Sequence, residues 1–267
     1  MKNALLLCAF DVGGLLYQAA SAARIPEESE KSEIPALIFR SLFERVKKTL
    51  KPQLIAFAFD SPRETLWRRK LEPNYKADRP PPPSHIVNGL AEIRAFAKAH
   101  SHLVLEAEGY EADDVIASVV RKAKEEGFQV LIVSIDKDLF QLVDGSLVHL
   151  WDPRRRLVVG PKEVEGRFGV KPSQLADWIA LVGDSSDGIP GLPSIGPKRA
   201  QELLTAFGSI DGIHAALGRI DVKLRQKFQE HEELLLRYRR LTALRDDVPI
   251  GCLRGGLQKP KLEKGGA

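Results

Sequence analysis

Val130-Leu131-Ile132-Val133-Ser134-Ile135-Asp136-Lys137-Asp138 carries six apolar or small residues straight into two carboxylates. A run this short and this uniformly apolar reads as a strand buried on both faces of a parallel sheet. The pattern recurs at residues 4–10, which run into Asp11, and at residues 54–59, which run into Asp60. Helical spacing fills the intervals. Residues 34–50 place Ile34, Leu37, Ile38, Leu42 and Val46 on one stripe, and residues 111–126 do the same with Val115, Ile116, Val119, Val120 and Ala123 before Gly127 stops the helix. Strands alternating with helices predict an α/β fold, a mostly parallel twisted sheet flanked by helices.

The strand ends bear on function. In an open parallel sheet the C-terminal strand ends share one edge, and ligands bind there. A lone Asp after a strand commonly caps the next helix or closes a turn. Three strand ends carrying acids argue for a shared pocket instead. Gly109-Tyr110-Glu111-Ala112-Asp113-Asp114 adds three more acids at the start of a helix. There negative charge suits the helix dipole, though three acids exceed what a cap needs. Gly183-Asp184-Ser185-Ser186-Asp187 places acids at a helix end, where the dipole opposes them. Gathered together, Asp11, Asp60, Glu111, Asp113, Asp114, Asp136, Asp138, Asp184 and Asp187 would repel one another without cations. Hard oxygen donors select Mg²⁺, two ions or more, with Mn²⁺ able to substitute, and such sites suit two-metal phosphodiester hydrolysis.

Composition narrows the class. With 43% hydrophobic and 28% charged residues, the 267-residue chain is that of an ordinary globular protein. Its apolar runs are too short to span a bilayer, and residues 4–10 meet Asp11 rather than a cleavage site. Cys8 and Cys252 make neither a disulfide framework nor a zinc motif, which fits a reducing, cytoplasmic setting, and the six histidines fall in no ligand-like pattern. A monomer is the default expectation. The net charge of +4 leans only slightly towards an anionic partner. Its distribution is more telling: residues 63–79 hold six cations (Arg63, Arg68, Arg69, Lys70, Lys76, Arg79) against three anions. Trp67 and Tyr75 lie among them, a combination suited to phosphates and unpaired bases.

Beyond about residue 171 the pattern is helical only: 173–182, 197–207, 209–217 and a long charged helix over 222–245. The turn at 191–199 contains Gly191, Ser194, Gly196, Pro197, Lys198 and Arg199, a glycine-rich helix start able to hold a DNA phosphate. These readings divide the chain into a core at 1–170, a helical DNA-binding region at 171–250 and a disordered tail at 251–267.

Together the motifs at 109–114, 136–142, 183–187 and 191–199, with Tyr-Lys-x-x-Arg at 75–79, resemble the 5′–3′ exonuclease domain of bacterial DNA polymerase I and its stand-alone relatives in the flap endonuclease family. The likeness spans residues 4–250, and with no polymerase motifs following, it points to a free-standing enzyme. The resemblance implies a PIN-like nuclease core, a helical arch at about 62–100 and a helix–three-turn–helix element that grips duplex DNA, in relatives with a bound K⁺. It implies that Asp11, Asp60, Glu111, Asp113 and Asp114 surround a first metal and Asp136, Asp138, Asp184 and Asp187 a second. Lys76 and Arg79 match cations at the scissile phosphate, Tyr75 a stacking aromatic, and Arg68 joins them as a DNA contact. The implied substrate is DNA with a free 5′ end or 5′ flap. Two alternatives stand beside it: a DNA-binding protein of this fold with little catalysis, and a relative acting on RNA primers. Three positions depart from the family pattern: Val12 where Gly is common, Gln18 where a cation is, and Gly188 where Asn is.

Overall fold

The computed structural model describes residues 5–27, 29, 32–250 and 253. β1 (Leu5–Asp11) lies at the centre of a six-stranded sheet, between β2 (Leu54–Ala58) and β4 (Phe128–Val133). β3 (Leu103–Leu105) flanks β2, while β5 (Val148–Asp152) and β6 (Leu157–Val159) extend the β4 side, giving the order β3-β2-β1-β4-β5-β6. Every pairing is parallel except β5 with β6. The expected mostly parallel sheet is present. Its order reverses between β1 and β4, the switch point at which such sheets open a crevice.

Helices cover both faces. On one side α1 (Val12–Ala22), α2 (Ile34–Leu50) and α4 (Ser84–Ala99) enclose a core rich in phenylalanine. Phe10 and Phe57 of adjacent strands stack at 5.3 Å there, with Phe39 and Phe43 of α2 tilted against them. Cys8 is buried in the same core, as expected of a small packing residue. On the other side α5 (Ala112–Glu125) buries the Val115, Ile116, Val119, Val120 and Ala123 stripe, and Gly127 ends it at φ +80. α3 (Trp67–Leu71) is a single short turn at the site edge. The helical C-terminal region comprises α7 (Leu175–Val182), α8 (Pro197–Phe207), α9 (Ile210–Ala215), α10 (Val222–Glu230) and α11 (Glu232–Thr242), with α6 (Pro161–Phe168) leading into it.

One expectation is corrected. The helix expected over 222–245 breaks at His231, and the chain is extended beyond Thr242. Glu232 and Glu233 favour a fresh helix N-terminus at that point, a signal hidden by the continuous apolar spacing. Residues 84–99, within the stretch the resemblance assigns to the arch, form α4, a helix that follows the proline break at 80–83 and buries Ile86, Ile93 and Ala97 in the core. The segment between α3 and α4 crosses to the 184–188 turn, where Lys76 and Arg79 hydrogen-bond to Ser186 and Asp187. The expected tail at 251–267 lies outside the described residues apart from Leu253, and among those described no helix is long and apolar enough to cross a membrane.

Candidate metal and nucleic-acid site

The site sits at the C-terminal edge of β1, β2 and β4. Asp11 caps α1, its Oδ1 accepting the Gly14 N–H at 3.1 Å, so the cap reading and the site reading hold together. Its Oδ2 accepts the Ser134 hydroxyl at 2.7 Å, and Ser134 Oγ in turn accepts the Asp136 N–H at 3.0 Å. One hydroxyl thus ties the acids of the switch point together. Asp60 Oδ1 accepts the Ala112 N–H at 2.8 Å, which draws the start of α5 to the end of β2. The second acid of the 136–138 pair is placed by its backbone, since the Asp138 N–H donates to Asp136 Oδ1 at 2.8 Å.

Beside this group lies a second. Asp138, Asp184 and Asp187 bring one carboxylate oxygen each within 4.8 Å of one another. Asp138 Oδ1 is buried with no hydrogen-bond partner, which is costly for a carboxylate and leaves a hard donor facing the pocket. The electrostatics agree. Burial, opposed by the Ser134 hydrogen bond and reinforced by Asp60 and Asp136, raises Asp11 to about 7. Burial and then Asp136 push Asp138 to about 7 although Lys137 opposes them. Asp113 is driven well above the carboxylate range by burial, Asp136 and Asp11. Protons on these acids relieve repulsion that a divalent cation would relieve better. All the donors are hard oxygens, so the residues fit Mg²⁺-type ions.

Cations span the two groups. Lys76 Nζ is 2.6 Å from Glu111 Oε1 and 3.7 Å from Asp187 Oδ2. Arg79 reaches Asp187 Oδ1 at 2.6 Å and the Ser186 carbonyl at 3.1 Å. Burial alone would raise Glu111, yet Lys76 and Arg68 hold it down at about 2. Glu111 therefore stays ionised where its neighbours take up protons. The Lys76 N–H also donates to the Asp187 carbonyl at 3.1 Å, docking the crossing segment on the 184–188 turn. Gly188 adopts φ +73 there, and an added Cβ would lie 2.9 Å from the Asn74 carbonyl oxygen. Glycine meets both demands, whereas a side chain at this position would force the Asn74 backbone to shift.

Three expected roles are corrected. Asp114 is fully buried, and its oxygens are taken by Arg68, the Trp67 indole N–H and the Arg245 N–H, so no lone pair faces the acid pocket. Arg68, expected to contact DNA, is 2% exposed with its guanidinium turned inward. Tyr75, expected as a stacking surface, is buried, and its hydroxyl donates to Glu111 and Asp187. In the 191–199 turn Ser194, Gly196, Lys198 and Arg199 are exposed, with Arg199 in ion pairs to Glu202 and Asp221. Gly191 serves the turn's backbone: it is buried at φ +76, where a Cβ would stand 2.5 Å from the Val182 carbonyl carbon. Gly191→Ala is expected to cost roughly 2–4 kcal/mol from strain and overpacking, read as a fall in denaturation midpoint; an unchanged midpoint would contradict this packing. Sequence reading passed over Ser134, Lys137 and Tyr17. Lys137 pairs with Asp184 and lies 3.6 Å from Asp138, and its position between two acids was the available signal. Tyr17 exposes its ring beside the site, 47% accessible, with nothing in its local pattern to mark it.

A parallel sheet gathering carboxylates at one edge, crossed by a cation-bearing segment and joined to a helical region, defines a nuclease-type acid-cluster fold. Residues 7–169 match the 5′–3′ exonuclease N-terminal resolvase-like domain and residues 170–262 the 5′–3′ exonuclease C-terminal SAM fold. The chain belongs to the 5′–3′ exonuclease family. It is 35% identical over 222 residues to the flap endonuclease Xni of Pectobacterium carotovorum, covering 83% of this chain and 84% of that one. It is 32% identical over 266 residues to DNA polymerase I of Caldicellulosiruptor bescii, covering 97% of this chain but only 31% of that protein. The chain thus spans about a third of that polymerase. The fold is also that of the T5 D15 protein co-crystallised with metal ions, with a TM-score of 0.77, 21% identity and 89% of each chain covered.

Proposed function

We propose that the chain is a Mg²⁺-dependent 5′ nuclease that hydrolyses DNA phosphodiesters at a free 5′ end or 5′ flap. The observation carrying this is the adjoining of two carboxylate groups at the sheet's switch point, one including a buried oxygen that accepts no hydrogen bond, with Lys76 between them. DNA binding alone gains nothing from concentrated negative charge. Asp11, Asp60, Glu111, Asp113 and Asp136 would hold one ion, and Asp138, Asp184 and Asp187 a second. Bound ions supply Lewis-acid charge and lower the pKa of water towards neutrality. Lys76 and Arg79 exchange their carboxylate partners for the scissile phosphate and stabilise its growing charge. Ser194, Gly196, Lys198 and Arg199 hold the duplex backbone without reading sequence, with K⁺ at this turn. The Xni relative bears the name flap endonuclease, which supports the substrate class.

The test is cleavage of a 5′-labelled flap duplex. Activity should need Mg²⁺ or Mn²⁺ and vanish in excess EDTA; full turnover in EDTA would sink the proposal. A matched RNA flap, run in parallel, should turn over more slowly; faster RNA cleavage would favour the primer-directed reading.

A further inference from the structure

Arg68 has an acceptor for each of its five N–H bonds. Nε donates to the Leu241 carbonyl at 2.8 Å and Nη2 to the Ala243 carbonyl at 3.3 Å. Nη1 donates to Glu111 Oε2 at 2.7 Å, and the paired Nη groups meet both Asp114 oxygens at 2.6 and 2.7 Å. The side chain is 3% exposed. A buried guanidinium is costly to desolvate and persists where charge and donors are all matched. Here the matching joins three places distant in sequence: α3, the start of α5 and the end of α11.

The consequence falls on Glu111. Arg68 and the Tyr75 hydroxyl both occupy its Oε2, which leaves Oε1 turned to Lys76 and the acid pocket. Asp114 offers nothing to that pocket; it anchors Arg68 from behind, with Trp67 and the Arg245 N–H fixing the anchor in turn. We infer that Arg68 is a positioning residue: held by Asp114, it fixes Glu111 so that Oε1 faces the metal-binding acids, and it couples the end of α11 to that carboxylate. This rests on the proposed reading of Glu111 as a metal-facing acid. Orienting partners of metal-facing side chains commonly matter about 10–100-fold in metal affinity.

Arg68→Lys tests it, because lysine keeps the charge but radiates three donors from one atom and cannot serve acceptors spread around a planar fork. In the DNA-free protein, Mn²⁺ binding followed by electron paramagnetic resonance should weaken about tenfold at the tighter site. Half-saturating Mg²⁺ for flap cleavage should rise in step, while kcat at saturating Mg²⁺ recovers and KM for DNA stays put. Adding Arg68→Lys to Glu111→Gln should cost no further Mn²⁺ affinity, since the two act through one carboxylate. A folded Arg68→Lys protein with wild-type Mn²⁺ affinity overturns the inference, as does full additivity. Should Arg68→Lys fail to fold, Asp114→Asn loosens the same anchor with the shape kept, and unchanged Mn²⁺ affinity there is equally fatal. A wild-type protein that binds Mn²⁺ yet cuts no flap would sink the proposed function alone and leave the Mn²⁺ comparison in force.

Discussion

Lys76→Ala is expected to lower kcat on a 5′-flap duplex by about 10²–10³-fold while KM changes little. That loss corresponds to roughly 3–4 kcal/mol, the scale of one cation or donor aimed at charge that develops in the transition state. The geometry distinguishes this role from a simpler one. Lys76 is an ion-pair partner of Glu111 at 2.6 Å and is 13% exposed, so it could serve only to neutralise the acids. A counter-ion of that kind can be replaced: removing it deepens the negative potential, binds divalent ions more tightly, and extra Mg²⁺ restores the rate. A cation that moves to the phosphate cannot be replaced in that way, because the developing charge then lacks a donor at any Mg²⁺ concentration. Steady-state kinetics across a Mg²⁺ series therefore decide. A low kcat plateau with equal or lower half-saturating Mg²⁺ supports the transition-state role; recovery of kcat at high Mg²⁺, or an equal loss in kcat and DNA affinity, rejects it.

What the sequence made legible follows from locality. Strands β1, β2 and β4 were readable because a central parallel strand is apolar on both faces, and the acids at their ends because a strand end and its side chains are adjacent in the chain. α2 and α8 were readable to the residue, through apolar spacing and, for α8, Pro197 and Gly208 at its ends. Charge alone did not disclose which cations and acids would turn inward. Arg68 and Asp114 are separated by 46 residues, and Arg68 meets the Leu241 carbonyl across 173. A composition of cations with aromatics looks the same whether it faces DNA or closes a buried joint. α4 is a helix that its sequence marks by the proline break at 80–83 before it, and packing alone turns Ile86, Ile93 and Ala97 into the core. Local pattern finds the ligand edge; only packing says which side chains reach it.

Asp11→Asn is expected to abolish cleavage, by about 10³-fold or more, and at the same time to stabilise the metal-free protein above neutral pH. Asparagine keeps the local geometry, since its Oδ1 can still accept the Gly14 N–H while its amide donates to the free lone pair of Ser134 Oγ. What changes is titration. Burial, reinforced by Asp60 and Asp136, raises the Asp11 carboxyl from its ordinary 3.8 to about 7. Between those values the unfolded chain has released a proton that the folded chain still holds, so folding stability falls as pH rises from about 4 to about 7 and stays low above. Asparagine removes that loss. In EDTA the melting temperature of Asp11→Asn should therefore exceed wild type at pH 8 by several degrees, with the gap closing towards pH 4. Mg²⁺ should reverse the order at pH 8, because the ion replaces the proton on wild type and finds a weaker ligand in the variant. The acids are thus held in a folded state that repels itself, and divalent cations convert the repulsion into affinity. A variant no more stable than wild type at pH 8 in EDTA, or one retaining a tenth of the activity, would show that Asp11 is a helix cap and little more.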